Sequence, residues 1–244
     1  MSVFLTARWQ YLVMLNYELD PAILASRVPV NTELEGWDGK TYVSVVGFLF
    51  RDTRIRGIAV PFHRNFEEVN LRFYVRRKAQ DEWRRGVVFV KEIVPRRAIA
   101  LFARLLYGEN YQFMPMGHRI EREQNDLHAL RSVSYSWTLQ GHENSLAASV
   151  AGTPELIEDG SFDEFIAEHY WGYSGGLGRP TIEYRVDHPR WRIWRTRNAT
   201  LQCDVATLYG SEFVRTLEQA PESALVAEGS DVAVGSGASI KGNS

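Results

Sequence analysis

Short apolar runs bounded by turn signals recur along this chain, one of them in strict alternation of apolar and polar residues, and together they predict a string of β-strands rather than a helical bundle. Residues 11–17 read as the first strand. After a tight-turn signal at Trp37-Asp38-Gly39-Lys40, residues 41–51, rich in valine and phenylalanine, read as a buried strand. In residues 66–76, Val69, Leu71, Phe73 and Val75 alternate with Glu68, Asn70, Arg72 and Tyr74. A charged stretch, 77–85, joins this segment to 86–94, which predicts a hairpin. Residues 118–123, 130–139 and 145–151 read as a meander. Residues 181–186 and 191–197 flank a prolyl turn at Asp187-His188-Pro189-Arg190, and 225–234 reads as a last hairpin around Glu228-Gly229-Ser230-Asp231.

Helical signals are fewer. Asp20-Pro21 reads as an N-cap followed by proline at the first helical position, predicting a short helix to residue 28. Pro95 opens the clearest helix, with Ile99, Phe102, Ala103 and Leu106 on one face and Gly108 at its end. Ser161 with Glu164 is a capping box for a helix ending near Gly172, and a last helix is expected over 210–219. The pattern therefore predicts a mainly β (α+β) chain, a barrel or sandwich with appended helices. It predicts one domain over residues 1–234 and a disordered Gly/Ser tail over 235–244.

Composition narrows the function classes. A net charge of -2 supplies no field to draw nucleic acid or an anionic membrane. No apolar run reaches the roughly 20 residues of a membrane span. Residues 1–16 are broken by Arg8 and Gln10 and lack a small-residue cleavage site, so no signal peptide is read there. Cys203 is the only cysteine, which removes any intrachain disulfide and makes the cytoplasm the expected location. Arginine far outnumbers lysine, which stands only at Lys40, Lys78, Lys91 and Lys241.

Candidate chemistry centres on Glu68, Asn70 and Arg72, which period two sets on one face of a strand. Facing an interior, they can orient a carboxylate or carbonyl compound, with Arg72 as the cation and Glu68 as a general base. Facing solvent, they form a cross-strand ion-pair ladder. Lys91 is the one lysine in an expected core strand. To attack a carbonyl it must lose its proton near pH 7 rather than near 10.4; paired with a carboxylate at a strand end it is merely structural. Tyr111, Phe113, Met114 and Met116 can wall an apolar pocket or fill a core. His118, Ile120 and Arg122 share one strand face, as they do at a sheet edge or beside a polar cavity.

The six histidines show no metal-ligand spacing, so no metal is expected. Gly175-Gly176-Leu177-Gly178 lacks the spacing of a dinucleotide loop and reads as a flexible link, leaving no cofactor implied. Arg190-Trp191-Arg192-Ile193-Trp194-Arg195-Thr196-Arg197 carries the residue types of a nucleic-acid surface, but its alternation is that of a strand with solvated arginines.

Three stretches together are more specific than any of them alone: His63-Arg64-Asn65-Phe66-Glu67-Glu68-Val69-Asn70-Leu71-Arg72-Phe73-Tyr74-Val75, then Gly86-Val87-Val88-Phe89, then Ala103-Arg104-Leu105-Leu106-Tyr107-Gly108. With Phe165-Ile166-Ala167-Glu168-His169-Tyr170 and His188-Pro189-Arg190-Trp191, they make the chain resemble the YqjF-like family of uncharacterised proteins up to about residue 234. That family is distantly related to acetoacetate decarboxylase. The resemblance implies a cone-shaped antiparallel β-barrel with a small-molecule cavity, and it leaves a homo-oligomer open. Glu68 best matches the decarboxylase's cavity glutamate. The decarboxylase's reactive lysine pair falls near residues 108–116, where this chain reads Glu109-Asn110-Tyr111-Gln112-Phe113-Met114-Pro115-Met116. The expected function is therefore a small-molecule binder for a carbonyl or carboxylate compound, without Schiff-base decarboxylation. The alternatives are an enzyme using Glu68 as acid or base, and a structural protein with no cavity.

Overall fold

The alternating segments build a single sheet of sixteen strands among the described residues. The computed structural model describes residues 2–59, 63–80, 82–96, 110–126, 128–176 and 179–240. In chain order the strands are β1 (Val3–Leu19), β2 (Glu33–Leu34), β3 (Thr41–Ile55), β4 (Ile58–Ala59), β5 (Phe66–Ala79), β6 (Glu82–Val94), β7 (Tyr111–Phe113), β8 (Met116–Arg122), β9 (Leu130–Leu139) and β10 (His142–Leu156). Helix α1 (Phe162–Ala167) precedes β11 (Trp171–Gly176), β12 (Arg179–Asp187) and β13 (Arg192–Gln202). Helices α2 (Val205–Leu208) and α3 (Val214–Leu217) lead to β14 (Ser223–Ala227), β15 (Asp231–Gly235) and β16 (Ala238–Ile240). The class is mainly β, as the periodicity predicts.

Strand β1 organises the topology. One of its edges pairs along its length with β3, while the other is shared: Val3 to Arg8 pair with β15 and Leu12 to Asn16 with β14. Through β15 the order β1-β3-β5-β6-β11-β12-β15 returns to β1 and closes a ring of seven strands. Through β14 the sheet continues into a wing, β13-β10-β9-β8. The expected hairpin over 225–234 is thus corrected, since β14 and β15 follow each other along β1 and do not pair. Gly229 makes this passage: its φ is +81°, and a Cβ there would lie 2.1 Å from the Trp9 carbonyl oxygen.

Two cores result. One lies between the outward face of the ring and the wing with its C-terminal helices, and holds Val13, Val45, Leu71, Phe73, Tyr135 and Phe213. Gly47 lets the layers meet, because a Cβ there would fall 2.7 Å from the Tyr135 ring. The other lies inside the ring, where Met14, Val46, Phe48 and Tyr74 meet Phe165 and Ile166 of α1. Strands β3 and β5 are consequently buried on both faces, which explains why apolar residues predominate on both faces of β3 over 42–50.

Other expectations shift. The first strand extends to seventeen residues. Residues 20–28 form two 3-10 turns, Pro21–Ile23 and Ala25–Arg27, although Asp20 does cap Ala22 as expected. Helix α1 stops at Ala167, because Trp171–Gly176 is taken into the ring. Gly175 and Gly176, read as a flexible link, belong to that strand. In the stretch expected to be a disordered tail, β16 pairs with β12 at Ile182↔Ser239. The helix expected from Pro95 to Gly108 falls on residues 97–109, outside the described residues.

Candidate functional site

Inward-facing side chains of the ring strands surround a cavity of about 470 Å³. Pairing register sets what lines it. On β3 and β5, Phe50 lies opposite Phe66, Phe48 opposite Glu68, Val46 opposite Asn70 and Ser44 opposite Arg72. Glu68, Asn70 and Arg72 all line the cavity and are 3%, 2% and 9% exposed. The solvated-ladder reading of this face is therefore excluded, and both faces of β5 are interior.

Next to them on β6 the register slips by one residue between Leu71↔Lys91 and Arg72↔Phe89. Strict alternation would align Val87, Phe89 and Lys91 on one face. The bulge at Val90 instead puts Glu92 on the cavity with Val87 and Phe89. Lys91 is turned to the other side, where its Nζ donates to the Leu208 carbonyl at the end of α2. Burial lowers its pKa and the nearby Cys203 opposes that. None of Lys40, Lys78 and Lys91, the lysines among the described residues, lines the cavity.

The polar groups are held from several elements. Asn70 Nδ2 donates to Glu68 Oε1 at 3.1 Å, which fixes one carboxylate oxygen. Arg72 Nη2 donates to the Ile166 carbonyl of α1 at 3.0 Å and approaches Met14 Sδ at 3.7 Å, with its guanidinium 5.7 Å from the Tyr74 ring centre. Among the described residues no carboxylate lies within salt-bridge distance of Arg72, and its Nε and Asn70 Oδ1 have no hydrogen-bond partner. A buried cation left in this state costs stability that an arriving acceptor can restore.

Two histidines complete the polar end. His169 follows α1, packs against Tyr74 with ring centres 4.8 Å apart and planes tilted by 38°, and places Nε2 3.4 Å from Glu35 Oε2. Glu35 in turn accepts from Arg85 Nε at 2.6 Å. Burial lowers the His169 pKa to about 4, against the raising effect of Glu35. Burial pushes the Glu35 carboxyl up, but the His169 hydrogen bond and Arg85 outweigh it and hold it below its ordinary value. With Glu35 ionised, neutral His169 donates through Nε2, which leaves Nδ1 as an acceptor with no partner among the described residues. His188 is stacked between Tyr170 at 4.8 Å and Trp191 at 4.1 Å, and burial lowers its pKa.

The expected site residues divide. Glu68, Asn70, Arg72 and Tyr111 come together on the cavity. Met114 does not: it is buried in the core between ring and wing. His118 does not either, because β8 sits at the edge of the wing, and its Nδ1 lies 2.5 Å from Glu67, the residue whose side chain leaves β5 on the opposite side from Glu68. Glu92, His169 and His188 are cavity residues that the sequence pattern did not single out. Alternation hid Glu92, because the bulge is invisible in it. His169 and His188 lay inside the two short motifs that carried the family resemblance, which was the available signal. Burial pushes the Cys203 thiol up to about 12, which keeps it protonated at neutral pH. Among the described residues no group of metal-ligating side chains is gathered, and no helix is long and apolar enough to cross a membrane.

A ring of strands around a polar-ended cavity, flanked by a wing, is the acetoacetate decarboxylase-like fold. An acetoacetate decarboxylase-like enzyme from Sphingomonas wittichii RW1 matches with a TM-score of 0.66 at 14% identity over 99% of this chain and 95% of its own. Acetoacetate decarboxylase from Legionella pneumophila matches at 0.67 and 11% identity over 100% and 91%. The enduracididine biosynthesis enzyme MppR complexed with pyruvate matches at 0.68 and 11% identity over 100% and 93%. The chain belongs to the DUF2071 family of uncharacterized conserved proteins, which it matches over residues 6–231. It is 24% identical over 214 residues to the uncharacterized protein YqjF of Bacillus subtilis, covering 87% of this chain and 83% of that protein.

Proposed function

We propose that this protein binds a small carboxylate or carbonyl compound in the ring cavity, with Arg72 as its anchor. The observation that carries the reading is the state of Arg72: buried, facing the cavity, and without a carboxylate partner among the described residues. The pyruvate complex of the structurally similar MppR supports a ligand of this class. Asn70 and the acceptor Nδ1 of His169 supply the remaining polar contacts. Binding proceeds without a Schiff base, because Lys91 points away from the cavity.

Native mass spectrometry of the protein purified from cells, beside a denatured sample, tests this. A non-covalent adduct present in the wild type and lost in Arg72→Gln is the expected result. An apo mass, with no chemical-shift change on adding millimolar carboxylates, overturns it.

A second reading rests on Glu68, whose Oε1 is fixed by Asn70 on the cavity wall. In that reading the protein is an enzyme with Glu68 as general acid or base. Glu68→Gln then abolishes turnover of the identified ligand while leaving its affinity within a few-fold, whereas a pure binder shows no turnover in either form.

A further inference from the structure

Resting on the reading above, we propose that the compound taken by this cavity is an aromatic carboxylate, its acid group at Arg72 and its ring against an aromatic wall on β1 and β3. The cavity is graded along its length. From Arg72 to Phe66 strand β5 rises about 20 Å. Along that distance the β5 lining changes from Arg72 through Asn70 and Glu68 to Phe66, with Phe48 opposite Glu68 and Phe50 opposite Phe66 on β3. Phe66 stacks on Phe50 at 4.5 Å, Phe50 meets Phe48 at 5.1 Å, and Trp9 stands edge-on to Phe48 at 5.1 Å and 6.2 Å from Trp191. These rings present both faces and edges, the two surfaces against which another ring packs best.

Volume points the same way. At about 470 Å³ the cavity lies in the range of about 300–1,000 Å³ that takes ligands of drug size. A three-carbon acid at Arg72 displaces only a few waters, each about 30 Å³, and leaves the aromatic half unfilled. Phe48, opposite Glu68, stands about 13 Å along the sheet from the level of Arg72, so a ring carried on a chain of several carbons from the carboxylate reaches it and recovers dispersion contacts that a smaller ligand forfeits.

Isothermal titration of the full chain with 6-phenylhexanoate, hexanoate, decanoate and 6-phenylhexanamide tests the inference, because these probes separate ring, chain length and charge. The expected ranking has 6-phenylhexanoate at least about tenfold tighter than each of the others. Arg72→Gln removes its advantage over the amide, and Phe48→Leu narrows its advantage over decanoate. Hexanoate or decanoate binding as tightly as the aromatic acid overturns the aromatic occupant and leaves carboxylate binding standing. The amide binding as tightly as the acid overturns the Arg72 anchor instead, and with it the reading on which the inference rests. No heat from any probe at millimolar concentration overturns both. Should either variant unfold, the wild-type ranking alone decides.

Discussion

The two faces of β5 are equally hidden from water and differ in almost everything else. Val69, Leu71, Phe73 and Val75, at 0% exposure, interlock with the wing and the C-terminal helices. Glu68, Asn70 and Arg72 face a space that protein atoms leave open. One face shows what close packing does for stability. The other shows polar groups buried at a cost, with Asn70 Oδ1 and Arg72 Nε unpaired among the described residues, and that cost is tolerated where a site is worth keeping. Burial alone does not separate core from site; the state of the hydrogen bonds does.

The largest expected effect tests the packing side of this comparison. Phe73→Ala leaves a void among rigid neighbours and should cost about 4 kcal/mol in urea denaturation. Phe48→Ala, on the cavity wall, enlarges a space that already exists and removes fewer contacts, so about half that loss is expected. Equal losses would mean that the wall is packed as tightly as the core, and the contrast between the two faces would be gone.

A somewhat smaller effect, set by pH, belongs to the cavity side. An unfolded histidine takes up its proton near pH 6.5, whereas His169 in the folded chain does so only at about 4. Between these values the unfolded state holds more protons, so stability falls as the pH is lowered through that window and is fully present above it. The window is worth about 3 kcal/mol. His169→Phe keeps a ring packed against Tyr74 and removes the titration. Its unfolding midpoint should therefore fall less than that of the wild type between pH 7 and pH 4.5. Parallel curves for the two proteins would show that His169 is solvated in solution.

Much of this was legible in the sequence, and the gaps have physical causes. The Val/Phe-rich run revealed β3 and the hairpin signal β6, while period two revealed β5 and placed Glu68, Asn70 and Arg72 on one face, because side-chain direction along a strand is a local property. Whether that face is wet is not local. It depends on ring closure through β15, and closure turns on the split edge of β1, which no segment of sequence displays. Residues 225–234 read as a hairpin for the same reason: a turn signal at Glu228-Gly229 says that the chain bends, not which strand it then joins. By residue type Met114 reads as pocket wall or core filler, and by its mixed strand face His118 reads as sheet edge or cavity lining. In the fold, Met114 enters the packed core and β8 pairs with β9 on the wing.

The smallest effect concerns Lys91, the residue on which the two sides of the comparison exchange places. Alternation alone would set it beside Phe89 in the cavity, and the one-residue bulge at Val90 puts Glu92 there instead. Its ammonium binds a carbonyl at the C-terminal end of α2, where a cation suits the helix dipole. The group is only half buried, so Lys91→Met should change stability by about 1 kcal/mol or less. Ligand affinity should not move at all, and borohydride added with pyruvate should leave the mass of the wild-type protein unchanged. A reduced adduct on Lys91 would require the bulge to be absent in solution, which would bring the amine into the cavity, take Glu92 out of it, and return the site to the chemistry of the decarboxylase.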